Sequence, residues 1–298
     1  MEKTDILKMN KIGESELILN KDGSIFHLHL RPENIADTVI LVGDQDRVDM
    51  ISNYFDKIEF EVQNREFKTH TGIYNGKRIS VVSTGIGTDN IDIVINELDA
   101  ICNIDLTTRM VKTAHKKLSF VRIGTSGALQ GDIPVDTPVA TQKSIGFDGL
   151  LNFYAKRETF SDNEAEKAFL KHTEWNSKLA IPYFVDASET LLQKVAFDMI
   201  KGYTISAPGF YGPQGRVLRL PLVDDRLNEK ITSFRHNGLQ INNYEMESSA
   251  IYGLSKLLGH EALTICNIIA NRIRKEYSPD YKKAIEKLVV KVLNRLSE

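Results

Sequence analysis

The chain has 298 residues, 42% of them hydrophobic and 26% charged, with a formal net charge of −2. That length can bury the core of one large or two ordinary domains. The composition excludes a disordered chain, and the near-neutral charge gives no support for nucleic acid or an anionic membrane surface as a partner. The two cysteines, Cys102 and Cys266, follow no disulfide or metal-ligand spacing and fit a reducing cytoplasm. Residues 1–20 hold no apolar stretch of a secretion signal, and no run is long enough to span a bilayer.

Residues 1–23 are charged and weakly patterned and read as an N-terminal arm ahead of one domain over 24–298. Residues 24–30 alternate in their second half, as a half-buried strand or extended segment would. Thr38 to Val42 is a β-branched run ending in Gly43-Asp44-Gln45-Asp46-Arg47, and a helix from near Asp46 carries Val48, Met50 and Ile51. Asn64-Arg65-Glu66-Phe67 leads into a strand whose Asn75-Gly76 turn predicts a hairpin with Ile79 to Ser83. After Thr84-Gly85-Ile86-Gly87-Thr88, a helix places Ile91, Val94, Ile95, Leu98, Ile101 and Cys102 on one face. Residues 104–117 read as an inserted helix or loop.

Phe120 to Ala128 reads as a buried strand running into a Gly-bounded turn. The next strand, ending at Ala140, is confined by Pro134 and Pro138 to an edge or bulge. Residues 150–180 read as an excursion over the surface, Ser188 to Lys201 as a helix, and Tyr203 to Ser206 as a strand before a breaker-rich loop, Ala207 to Arg216. Asn243 to Glu247 is extended, Ser248 to Leu258 helical, and Leu263 to Ala270 a buried strand. Ser278-Pro279-Asp280 opens the last helix with Ser278 as its cap. Strands alternate with helices and end repeatedly in Gly-rich turns. The class is therefore α/β with a largely parallel or mixed sheet, whose ligand belongs at the carboxyl ends of the strands.

Arg122 lies on a strand that otherwise reads as core, and a buried guanidinium needs an anionic partner. Gly124, Gly127, Thr125 and Ser126 beside it suit an oxyanion, most simply phosphate; a structural ion pair with an internal carboxylate is the other option. Gly43 with Arg47 at a helix start, and Arg65, are further phosphate candidates. Each charge-assisted bond to phosphate contributes about 1.5–3 kcal/mol. A Walker A loop is missing, which argues against a nucleoside triphosphate. Glu245 and Glu247, two apart, present carboxylates that suit vicinal ribose hydroxyls, or else form an acidic helix start. Gln214 and Arg216 offer a donor-and-acceptor amide beside a pure donor, matching the edge of uracil, unless they belong to a plain polar surface loop. Phe210 and Tyr211 beside them can stack on a base. His27 among apolar neighbours is more often structural than catalytic.

Taken in order, Gly43-Asp44-x-x-Arg47, Arg65-Glu66-Phe67, Ser83-Thr84-Gly85-Ile86-Gly87, Arg122-Ile123-Gly124-Thr125-Ser126-Gly127-Ala128, Asn243-Tyr244-Glu245-Met246-Glu247-Ser248 and Asn271-Arg272 resemble the nucleoside phosphorylase-I family (the PNP/UDP phosphorylase family). Phe26-His27-Leu28 and Gln214-x-Arg216 are similar to its uridine phosphorylase branch. The resemblance implies a single-domain three-layer α/β/α fold with a mixed, partly barrel-closed central sheet. It implies phosphorolysis of a pyrimidine nucleoside, with Arg122, Glu247 and Arg216 catalytic. Phosphate would be held by Gly43, Arg47, Arg65, Arg122 and Thr125, ribose by His27, Met246 and Glu247, and the base by Ser126, Phe210, Gln214 and Arg216. Arg65 and His27 would reach into a neighbouring subunit's site, which implies a homodimer as the minimal unit and allows a hexamer. No cofactor or metal is implied, inorganic phosphate being a substrate. Glu66, Ile86 and position 90 match a monovalent-cation site of some relatives, but Asn90 stands where a Ser is usual, which counts against a bound potassium ion.

Asn271 stands where purine-specific members carry an Asp, which favours a pyrimidine over a purine nucleoside or a nucleosidase reaction. Gly212-Pro213 reverses the order usual in the uridine branch. A non-catalytic nucleoside-binding protein would show loss of the arginines or of Glu247, and all are present.

Overall fold

The structure, a computed structural model, describes residues 11–298. The first ten residues of the expected N-terminal arm lie outside the described residues. In chain order the elements are β1 (Thr38–Val42), α1 (Gln45–Ser52), β2 (Lys57–Asn64), β3 (Phe67–Tyr74), β4 (Lys77–Ser83), α2 (Thr88–Asn103), β5 (Ile104–Asp105), β6 (Met110–Val111), β7 (Ser119–Ala128), β8 (Pro138–Gly146), α3 (Asn163–Thr173), β9 (Tyr183–Asp186), α4 (Glu189–Val195), β10 (Ile200–Ser206), α5 (Leu227–Ser233), β11 (Arg235–His236), β12 (Leu239–Glu245), α6 (Ser248–Leu258), β13 (Glu261–Asn271), β14 (Glu276–Tyr277) and α7 (Tyr281–Ser297).

The large sheet runs β11-β12-β10-β8-β13-β7-β1-β4-β3-β2. Strand β12 also pairs antiparallel with β7, Asn243 opposite Ala128 and Tyr244 opposite Gly127. That extra pairing closes β7, β13, β8, β10 and β12 into a five-stranded barrel, and β1 to β4 extend from it as an open sheet. Strand β1 is buried at every position and β13 over most of its length, because helices cover both faces. Helices α2 and α6 pack together, with α6 on β8 and β13, and α4 and α7 pack together against β13. This is the three-layer α/β arrangement with a partly closed mixed sheet. Strands β4, β1, β7 and β13 run parallel to their neighbours in this order, so their carboxyl ends open at one edge.

Several segments differ from the pattern-based reading. Residues 24–30 form turns anchored by a single Leu19–Ile25 bridge, not a strand. Residues 104–117 contain the small β5–β6 pair rather than a helix. Strand β8 is interior, pairing with β10, β13 and β9, because Pro138 takes its first position and costs no ladder bond there. Residues 150–180 are not a loose excursion: they carry α3, whose Phe169 packs against Phe147, Trp175, Phe184 and Phe234 in a second core. The helix expected over 188–201 stops at Val195, and Ile200 opens β10. Between them Phe197 lies under Arg295 and Asp198 pairs with Arg295 and Lys291, so contacts to α7 override the local helical spacing. The last helix is capped by Asp280, which accepts from the Lys283 N–H, while Ser278 Oγ donates to Asp136 at 2.6 Å.

Candidate active site

A cavity of about 480 Å³ opens at the carboxyl ends of β1, β7 and β12. Gly43, Arg47, Arg122 and Thr125 line one end, Phe210, Gln214 and Arg216 the other, and Ser126, Met246 and Glu247 lie between. Ten of the twelve expected site residues thus meet in one chain. The other two do not. Arg65 is exposed at the β2–β3 turn, and His27 sits with its Nδ1 2.6 Å from Glu97. The Glu97 carboxylate also accepts the His27 and Leu28 N–H groups, so this histidine is fixed in place with a partly exposed ring.

At the basic end, Asp44 caps α1 by accepting the Arg47 N–H and pairs with Arg47 Nη2 at 2.8 Å. Arg47 Nη1 donates to the Ile123 carbonyl. Burial pushes the Arg47 guanidinium below its ordinary pKa, opposed by Asp44. Arg122 is held by both acids of the Glu245/Glu247 pair: Nη2 donates to Glu247 Oε2, and Nη1 lies 3.5 Å from Glu245 Oε2. The internal carboxylate pairing therefore exists, and at the cavity wall rather than deep in the core. Arg122 Nε is buried with no partner among the described residues. Burial disfavours the Arg122 charge, but Glu247 and Glu245 outweigh it and raise its pKa. Burial lifts the Glu247 carboxyl above the usual range, Arg122 pulls it back, and Glu245 adds to the rise. A Cβ on residue 124 would lie 2.0 Å from Arg122 Nη1. Glycine at 124 is what lets the guanidinium fold back beside its own strand.

At the far end, Gln214 is buried in a 3-10 turn, Gly212–Gln214. Arg216 Nη1 donates to Gln214 Oε1 and to the Phe210 carbonyl, both at 2.6 Å, and its guanidinium lies 3.8 Å from the Phe210 ring centre. Arg272 donates to the Gln214 carbonyl, as does Asn228 Nδ2 at 3.3 Å. Arg216 is pushed down to about 10 by burial and then by Arg272. Residue 215 has φ +70°, and a Cβ there would stand 2.1 Å from Asn228, so only glycine permits this turn.

The pattern reading missed Asp44, Tyr244, Tyr277 and Arg272. Asp44, Tyr244 and Tyr277 line the cavity, whereas Arg272 braces the Gln214 turn. Asp44 was available as a cap three residues before Arg47. Tyr277 arrives only because β14 folds back on β13, which no local pattern announces. Asn271 does not face the cavity: its amide donates to the Gln130 and Ile133 carbonyls and accepts the Ile273 and Arg274 N–H groups. Its role in the chain is to hold this corner of backbone. Asn90 Nδ2 donates to the Ile86 carbonyl at 3.4 Å. Among the described residues no cluster of His, Cys, Asp or Glu could hold a metal ion, and no helix is long and apolar enough to cross a membrane.

The profile of the phosphorylase superfamily matches residues 37–298. The chain belongs to that superfamily. The chain is 28% identical over 298 residues to the uridine phosphorylase of Thermococcus kodakarensis, covering 97% of this chain and 93% of the relative. It is 28% identical over 261 residues to the uridine phosphorylase of Haemophilus influenzae, covering 85% and 88%. The crystal structure of a Trypanosoma brucei nucleoside phosphorylase, described as showing uridine phosphorylase activity, superposes with a TM-score of 0.84 at 28% identity, covering 94% of this chain and 99% of that one. The chain is accordingly an enzyme of the pentosyltransferase class.

Proposed function

We propose that the protein catalyses reversible phosphorolysis of a pyrimidine nucleoside: uridine and phosphate give uracil and ribose 1-phosphate. The observation that carries this reading is a single cavity lined both by the bonded Arg122–Glu247 pair and by Gln214 braced by Arg216. Phosphate sits at Gly43, Arg47, Arg122 and Thr125, and attacks C1′ from the face opposite the base as the glycosidic bond stretches toward an oxocarbenium-like state. Fixing both reactants in one geometry removes much of the bimolecular entropy cost. Glu247 takes the ribose hydroxyls, with Met246 packed beside it. Gln214 Oε1 keeps a second lone pair for the uracil N3–H, its Nε2 donates to one carbonyl and Arg216 to the other, while Phe210 and Ser126 flank the ring. Charge developing on the leaving uracil is stabilised by Arg216, a preorganised electrostatic role.

The charges of one chain leave the phosphate end short of cation. Arg47 is matched by Asp44, and Arg122 by two carboxylates. An additional guanidinium is needed for a phosphate dianion, and the exposed Arg65 of a second copy supplies it, with His27 of that copy on the ribose 5′-OH. The working unit is then a homodimer at least, and a hexamer is compatible. Phosphate is a substrate and no cofactor enters. Cys102 and Cys266, both free and buried, suit a cytoplasmic setting.

The test is uridine cleavage with and without inorganic phosphate, followed by the absorbance change on uracil release. Phosphate-dependent cleavage is expected. Cleavage without phosphate would mean a hydrolase, phosphate-dependent cleavage of inosine alone would transfer the reading to purines, and no cleavage of either would leave a binding protein.

A further inference from the structure

Glu245 is the member of the acidic pair that the proposed chemistry leaves without a task. Its side chain is 1% exposed. Oε1 accepts from Ser206 Oγ at 2.5 Å and from Ser248 Oγ at 2.6 Å. Both oxygens take the Ser248 N–H, and Oε2 takes the Glu247 N–H at 2.9 Å. Ser144 Oγ stands behind, 2.7 Å from Ser248 Oγ. A carboxylate has about four lone-pair sites, and with Arg122 added none is left for a sugar hydroxyl. Glu247, by contrast, has one N–H partner on Oε1, from Gly87 at 2.8 Å, and Arg122 on Oε2, so it retains accepting capacity.

We infer that Glu245 is a positioning residue: backed by Ser206 and Ser248, its carboxylate fixes both the plane of the Arg122 guanidinium and the backbone of Glu247, so that phosphate and ribose meet them in one geometry. The inference rests on the phosphorolysis reading. Holding a guanidinium at two nitrogens removes its freedom to rotate about the outer bonds of its side chain. Holding the Glu247 N–H sets where that residue leaves the strand. Supporting groups of this kind are what keep contact residues in productive alignment, and small misplacements are costly. The competing role is that of a helix cap for α6 alone. A cap moves the melting temperature and leaves the kinetics of the folded protein untouched.

Glu245→Gln and Ser248→Ala in the full chain separate the two roles. Each is melted, assayed with uridine and phosphate, and titrated calorimetrically with inorganic phosphate. Glu245→Gln is expected to lower kcat about 100-fold and to weaken phosphate binding. Ser248→Ala, which removes one bond to the carboxylate, is expected to lower kcat about fivefold. Values for both variants within about twofold of the parent, whatever their melting temperatures, would overturn the inference. Should Glu245→Gln not fold, Ser248→Ala decides by the same criterion. If the parent does not cleave uridine, the phosphorolysis reading falls and phosphate affinity decides instead. Weaker binding by the variants then supports the positioning of Arg122, and equal binding, or none by the parent, overturns it.

Discussion

Arg122 Nη2 donates directly to Glu247 Oε2 across 125 residues of chain, with both side chains 5% exposed. One residue comes from the interior of β7 and the other from the step between β12 and α6, so the pair exists only once the barrel has closed. The pair is neutral in itself and buried, yet it faces a cavity. Breaking a buried ion pair by removing one partner costs about 3–5 kcal/mol when the other is left alone. Here Glu245 remains beside Arg122.

Glu247→Gln is therefore expected to fold and to lose turnover. Arg122 keeps its second carboxylate, and the amide fills the same volume. Loss of the anionic acceptor for the ribose hydroxyls is expected to lower kcat/KM for uridine by about 100-fold or more. Melting within a few degrees of the parent together with near-parental kcat/KM would remove Glu247 from the site.

Arg216→Met separates the two ends of the cavity. Methionine retains packing on Phe210 and removes the donor to Gln214 Oε1 and to the base. The expected result is a fall of about 10- to 100-fold in kcat/KM for uridine, with the KM for phosphate within about twofold. Equal losses for both substrates would make the loop structural only.

How much of this was legible in the chain depends on whether local pattern or distant contact decides. Strand β1 and helix α6 match the ranges read for them, because both are buried on all sides, a β-branched run between covering helices and a helix whose first eight residues are enclosed. The anion-suited Gly-rich segments at Gly43 and at Gly124 to Gly127 were visible and do converge, but the second is the end of β7 itself, paired with β13 through Ala128, rather than the Gly-bounded turn expected there. Helix α3 was hidden because its polar sequence buries only a few side chains, Phe169 chief among them. The end of α4 was hidden because Asp198 answers to Arg295, almost a hundred residues on. Which carboxylate of the Glu245/Glu247 pair is free could not be read from spacing: it depends on Ser206, which only the β10–β12 pairing brings alongside.

Asp198 also predicts a pH effect. Arg295 first, and Lys291 with it, hold its carboxyl below the usual carboxylate range. A depressed folded pKa contributes stability that is present above the unfolded value, about 4, and is lost as the pH falls through the folded value. The side chain is 38% exposed, so solvent screening limits the contribution to about 1 kcal/mol or less. Asp198→Asn should melt below the parent at about pH 7, with the gap closing well below about pH 4. A gap that stays constant across that range would show that the pair contributes nothing through charge.

A cation supplied by a second copy makes a prediction about mixtures. Arg65→Ala is expected to raise the KM for phosphate, and Glu247→Gln to abolish turnover. If Arg65 serves the partner's cavity, a hybrid dimer of the two variants places both lesions in one site and leaves the other intact. Equal mixing with random reassociation gives half hybrids, so activity should recover to about a quarter of the parent. If Arg65 serves its own chain, every site carries one lesion and mixing recovers nothing above the average of the two variants. Size-exclusion chromatography with light scattering on the same mixture confirms that subunits have exchanged, so a null result then counts against the shared site.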